Sequence, residues 1–167
     1  MASPLKATPT ATRSMDTGVT HRAKVAAGLE EVLADTYRLL FKTHTYHWNV
    51  TGPLFYSIHH LTEEQYQDLF EAADVLAERI RALGQVTPMR FADMASNSAV
   101  KDLDKRPSAG EMIDDLRKDH EQLAKRLHKL IRLAEDNDDD VTGDLAIARS
   151  SVHEKAAWML RAMTDEA

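Results

Sequence analysis

The segment HHLTEE, His59 to Glu64, holds two His–Glu pairs at four-residue spacing: His59 with Glu63, and His60 with Glu64. On a helix, residues four apart lie on one face, so either pair presents an imidazole nitrogen and a carboxylate oxygen to one point in space. That donor set suits a divalent cation such as ferrous iron. Further along, Asp74 and Glu78 repeat the spacing. At about 100° per residue, His59, Glu63, Asp74 and Glu78 fall within roughly 100° of one another, flanking the apolar face of Ile58 and Leu76. Phe70 and Ala77 share their stripe, and a stripe that mixes acids, His and Phe points to a second interface. His60 is turned about 100° away, towards Glu64 and Glu71, a direction that reads as solvated although it nearly coincides in angle with Glu78. Pairs of this kind also occur as ordinary solvated features, and the helical wheel alone leaves both readings open.

Distance narrows the choice. Glu63 and Asp74 are eleven residues apart, roughly 16 Å along a helix axis, whereas bonds from a metal to its ligands are about 2 Å long. A single chain cannot bring both acid-bearing ends to one ion. Two copies packed antiparallel about a two-fold axis near Asp68 and Leu69 can, and the symmetry then creates two equal sites. A site inside one bundle calls for Glu-x-x-His on two helices, and no histidine here has a glutamate three residues before it.

The elements that must position these residues are helices. Four long apolar patterns of helical period run through the chain. The first spans about 20–49, with Val25, Leu29, Val32, Leu33, Leu40 and His47 on one face. The second follows Pro53 and ends near Gly84, with Ile58, Leu61, Leu69, Ala72, Leu76, Ile80 and Leu83 inward. The third opens on a capping box, Ser108 with Glu111, and carries Ile113, Leu116, Leu123, Leu127, Leu130 and Ala134. The fourth begins near Val141 and carries Leu145, Ala148, Val152, Ala156, Met159 and Met163. All five prolines lie outside these segments, as helix interiors require. Short joins at TGP and EDNDDD predict antiparallel neighbours. The stretch from Gly84 to Pro107 is long enough to cross the bundle end to end, with a short helix around Arg90 to Ser96.

The chain of 167 residues suffices for one domain with a real core. It contains no cysteine, which excludes disulfides, thiolate zinc sites and thiol catalysis and fits a reducing cytosol. No apolar run approaches membrane-spanning length and the N-terminus lacks the apolar segment of a signal peptide, so a cytoplasmic location without membrane contact is expected. The formal net charge of −6 favours cations over nucleic acid, leaving DNA binding to a local basic segment. Residues 1–19 lack an apolar period and read as a flexible tail ahead of a bundle domain at 20–167; the tail carries Lys6 and Arg13.

The blocks HWNVTGPLFYSIH (His47 to His59) and DVLAERIRALG (Asp74 to Gly84), with DNDDDVTGDLAIAR and HEKAAWMLRA near the end, resemble the Dps family of ferritin-like proteins. The resemblance covers the chain from Thr20 onward. It implies an all-α, ferritin-like four-helix bundle with one long crossover, assembled from two-fold dimers into a hollow dodecamer. It also implies a ferroxidase that binds two ferrous ions per site, oxidises them preferentially with hydrogen peroxide and stores the ferric mineral. By match to the family motif, the ligands are His47, His59 and Glu63 from one chain and Asp74 and Glu78 from its mate. Glu63 stands where many members have Asp, one methylene longer. His60 and Glu64 are left to solvent, and Trp48 beside His47 has two readings, a cover over the site or an aromatic plug at the helix end. The acidic run supplies candidates for an iron-entry pore, Glu135, Asp139, Asp140 and Asp144, foremost Asp144 and Glu135. Weak, non-specific DNA binding through Lys6 and Arg13 of the tail is the alternative activity.

Overall fold

A computed structural model describes Met15 and residues 17–164; Lys6 and Arg13, with most of the tail, lie outside the described residues. Five helices follow in order: α1 (Arg22–Asn49), α2 (Phe55–Ala82), the short α3 (Phe91–Asn97), α4 (Ala109–Glu135) and α5 (Asp140–Ala162). No strand occurs among the described residues. Helices α1 and α2 form one antiparallel pair and α4 and α5 the other, and the two pairs pack together. Lys42 of α1 reaches Asp119 of α4, and Arg149 of α5 reaches Asp68 of α2, so α1 opposes α4 and α2 opposes α5. Because α2 and α4 run the same way, the connection between them crosses the bundle from end to end, carrying α3 on its path.

Local chemistry sets the ends of the helices. Gly84, at φ 83°, follows α2 in the left-handed conformation that commonly stops a helix. Ser108 accepts from the Glu111 amide while the Glu111 carboxylate accepts from Ser108 N at 2.8 Å, so the expected capping box is formed. Helix α1 starts at Arg22 rather than Thr20, because His21 adopts φ 42° and its ring bonds Asn137 at 3.0 Å. Thr20 N also donates to Asn137 O at 2.9 Å. Val19, placed in the tail by the sequence, belongs to the core. The boundary moves because this short segment is tied to the α4–α5 turn.

The core is the aliphatic layer between the four long helices, with Leu29, Leu33, Ile58, Leu69, Leu76, Ile113, Leu123 and Leu127 essentially fully buried. The phase of α5 differs from expectation. Ala148 and Val152 are exposed, and the buried face runs through Ala146, Ser150, His153, Ala157 and Leu160. The helical period is right, but small and polar residues occupy the inner face, so an apolar pattern misplaces it. Leu39 is likewise buried where Leu40 is only half-buried.

Buried charges tie the crossover down. Lys42 is 3% exposed; its ammonium meets Asp115 at 2.9 Å and Asp119 at 2.5 Å and donates to Lys101 O at 2.5 Å. Burial nonetheless raises the Asp119 carboxyl to about 6. Asp35 is fully buried, accepts from Ser98 Oγ at 2.8 Å and Ala99 N at 2.7 Å, and pairs with Arg126 at 2.9 Å. Removing one member of such a set strands the other in a medium that cannot solvate it.

Two buried histidines, His120 of α4 and His153 of α5, face each other with Nδ1 atoms 2.9 Å apart. Burial, reinforced by Arg149, holds His120 down to about 4, and burial also holds His153 down. The unfolded chain takes up these protons near pH 6.5. Stability from both groups is therefore present above pH 6.5 and is lost as pH falls towards 4, partly offset by Asp119, whose raised value acts with the opposite sign. The thermal unfolding midpoint is expected to drop across this window. A scan from pH 7 to pH 4 checks it, and a flat or rising profile contradicts it.

Candidate metal centre

The α1–α2 turn, closed by Gly52 at φ 106° and followed by Pro53, brings His47 and His59 together. Their rings stack with centroids 3.7 Å apart and planes 18° off parallel. His47 Nδ1 donates to the His59 carbonyl at 2.8 Å, and His59 Nδ1 donates to the His47 carbonyl at 3.0 Å. The network assigns the Nδ1–H tautomer to both rings, because a carbonyl can only accept. Both Nε2 atoms therefore keep their lone pairs. Metal-binding histidines are held in the same way, with the distal N–H fixed by an acceptor. Thr62 lies buried beneath, its hydroxyl 3.5 Å from His47 Nδ1 and bonded to Ile58 O at 2.7 Å.

Aromatic rings wall the pair. Phe55 stacks on His59 at 5.0 Å and Tyr66 meets His47 edge-on at 5.2 Å. Trp48 rests on His44 at 4.1 Å, and His44 stacks on Tyr66 at 4.2 Å. His44 and Tyr66 escaped the sequence reading. Their signal was spacing, since His44 precedes His47 by three residues, one turn back, and Tyr66 follows His59 by seven, two turns on along the same face.

The carboxylates are distributed unequally. Glu63, one turn beyond His59, is half-buried and lies 3.6 Å from His60 Nδ1. His60 is exposed, as expected, but pairs with Glu63 rather than Glu64. Asp74 and Glu78 are exposed further down α2. Within one chain, no three His, Asp or Glu groups among the described residues converge to hold an ion. The structure thus joins His47 and His59, sets Glu63 on the next turn, and leaves Asp74 and Glu78 apart. The same α1–α2 surface exposes Phe41, Trp48, Phe55, Phe70 and Val75. A cavity of about 490 Å³ opens there among Leu40, His44, Tyr66 and Phe70. Such a run of apolar side chains marks a contact surface.

The acidic turn requires one correction. Asp139 is 1% exposed, accepts from Thr142 N at 2.9 Å and Thr142 Oγ1 at 2.6 Å, and pairs with Arg79 at 2.5 Å. Its carboxylate caps α5 and fastens α2 to it, so it does not face solvent as a pore ligand must. Glu135, Asp140 and Asp144 are exposed.

A protein-family profile described as a ferritin-like domain matches residues 26–167. DNA protection during starvation protein 2 of Bacillus anthracis is 33% identical over 138 residues, covering 83% of this chain and 94% of the relative. The crystal structure of Dps from Staphylococcus aureus superposes with a TM-score of 0.85 at 30% identity, covering 89% of this chain and 99% of that one. A Dps protein of Vibrio cholerae O1, described as a member of a broad superfamily of ferritin-like diiron-carboxylate proteins, superposes with a TM-score of 0.82 at 28% identity, covering 86% of this chain and 91% of that one. The fold, the extent of these matches and the clasped histidines at the α1–α2 turn place the chain in the Dps family of ferritin-like proteins.

Proposed function

We propose that the protein is a ferroxidase and iron store whose oxidation sites form between two copies of the chain. The observation that carries this reading is the reciprocal clasp of His47 and His59, which leaves both Nε2 lone pairs free beside an uncovered apolar face. One chain contributes His47, His59 and Glu63, and its two-fold mate contributes Asp74 and Glu78. The V. cholerae relative's description as a diiron-carboxylate protein supports two ferrous ions per site. Twelve chains built from such dimers enclose the mineral. The bundle begins one residue earlier than the expected 20–167, with Val19 as its first core residue, and the tail lies ahead of it. The work is cytoplasmic, and no helix among the described residues is long and apolar enough to cross a membrane.

The chain's part in the reaction is binding and electrostatics. The imidazoles turn Nε2 to the cations, and three carboxylates offset their charge as it rises on oxidation. With two ferrous ions side by side, one hydrogen peroxide takes one electron from each, and its O–O bond breaks to water with two protons. No hydroxyl radical is released. Glu135, Asp140 and Asp144 draw cations inward at the entry pore; Asp139 serves that role only by bracing the turn.

His47→Ala or Glu78→Ala is expected to leave particle size unchanged in size-exclusion chromatography while slowing ferrous oxidation about 10–100-fold. His60→Ala is expected to change neither, and equal damage from His60→Ala and His59→Ala would show the wrong histidine to be the ligand. Anaerobic ferrous loading followed by stoichiometric peroxide is expected to oxidise iron much faster than oxygen does; equal rates would remove the peroxide preference. The name of the B. anthracis relative favours a second activity, DNA binding, for which the basic tail is the candidate. A gel-shift titration is expected to show a weak complex at low salt that disappears at physiological salt and on deletion of residues 1–19. A complex unaffected by the deletion would take the role away from Lys6 and Arg13.

A further inference from the structure

A different layer of the bundle carries polar atoms that nothing in the chain satisfies. His120 Nε2 and both amide atoms of Gln65 are buried without a hydrogen-bond partner. His120 is 2% and Gln65 9% exposed. The fully buried Thr43 hydroxyl is also unpartnered. It belongs to the same level, because Lys42 before it reaches Asp119 and His44 after it stacks on Tyr66. A buried donor or acceptor left unpaired is costly, and Gln65 and His120 bring theirs to one cavity, which calls for a guest. A cavity of about 230 Å³ opens beside them between α2, α4 and α5, lined by Gln65 and His120 at its base and by Glu64, Asp68 and Lys155.

We propose that this cavity is a second, within-chain site for a divalent first-row cation, held by His120 Nε2 and Gln65 Oε1 with Glu64 turning in from the cavity wall. The imidazole is arranged as at His47 and His59, its Nδ1 engaged and its Nε2 free. The partner here is His153 Nδ1, and the site takes the tautomer in which His120 Nδ1–H donates to it; the depressed proton affinity of both rings keeps them neutral, as coordination requires. One nitrogen with oxygen donors suits iron, cobalt or zinc in the divalent state. Asp68 is bound through both oxygens to Arg149, at 2.6 and 2.9 Å, which leaves Glu64 as the available carboxylate. Glu64 and Asp68 against Lys155 and Arg149 balance the charge of the surroundings, so the ion is exchangeable rather than structural. This gives Glu64, the unused half of HHLTEE, a task.

The test uses the full assembly carrying His59→Ala and Asp74→Ala, which removes ligands of the inter-subunit site, so the outcome is independent of whether that site oxidises iron. Anaerobic titration with Co2+, followed by its visible absorption, is expected to show about one ion per chain. Zinc X-ray absorption on the same variant is expected to show one imidazole nitrogen in an oxygen shell. Gln65→Leu and His120→Phe should each weaken Co2+ at least tenfold, and Glu64→Gln by less. If His120→Phe fails to assemble, Gln65→Leu and the zinc spectrum decide. No uptake of Co2+, uptake unchanged in Gln65→Leu, or a zinc shell without imidazole would mean that the cavity holds water only, and the proposal falls.

Discussion

The reciprocal hydrogen bonds between His47 and His59 are the constraint on which the rest of the molecule turns. Each ring gives its Nδ1–H to the other residue's carbonyl. One contact thereby fixes two tautomers, ties the end of α1 to the start of α2, and satisfies the His47 carbonyl near the end of α1. The carbonyls near an α-helix C-terminus are the groups that lack intrahelical partners, and His47 lies in the last turn of α1. The site is thus assembled from groups the fold must accommodate in any case. Preorganisation follows at little extra cost, because Thr62, Tyr66 and Phe55 pack around rings that are already held.

A second constraint acts at the opposite end of the site's logic. Helical rise separates Glu63 from Asp74 and Glu78, and no rotation of side chains closes a gap of that size. The chain instead leaves a broad apolar surface uncovered on α1 and α2, with Phe41 58% and Phe70 64% exposed. A monomer rarely keeps such a surface in water. In the proposed dimer the same hydrophobic contact completes the ligand set, so assembly and metal binding reinforce each other by mass action.

The legible part of the sequence was the part governed by strong local rules. Proline placement, the Ser108–Glu111 box and the apolar period located all four long helices within a few residues. The resemblance to the Dps motif favoured His59 over His60, and His60 is exposed in the structure. What escaped was whatever depends on polar groups turned inward. The phase of α5 was misjudged because Ser150 and His153 occupy core positions, and Asp139 was taken for a solvent-facing acid although it serves as a cap and an ion-pair partner. Trp48 stacks on His44 one turn back, a partner that the apolar pattern did not single out.

The attachment of Thr20 and His21 to Asn137 has an engineering corollary. Because the chain joins the bundle at the α4–α5 corner, a group attached at Thr20 itself starts beside Glu135 and Asp140. A bulky or cationic purification handle placed there crowds the acids assigned to cation entry, whereas the far end of α5, past Arg161, lies at the other pole of the subunit. Cargo display and affinity labelling therefore belong at the carboxyl side.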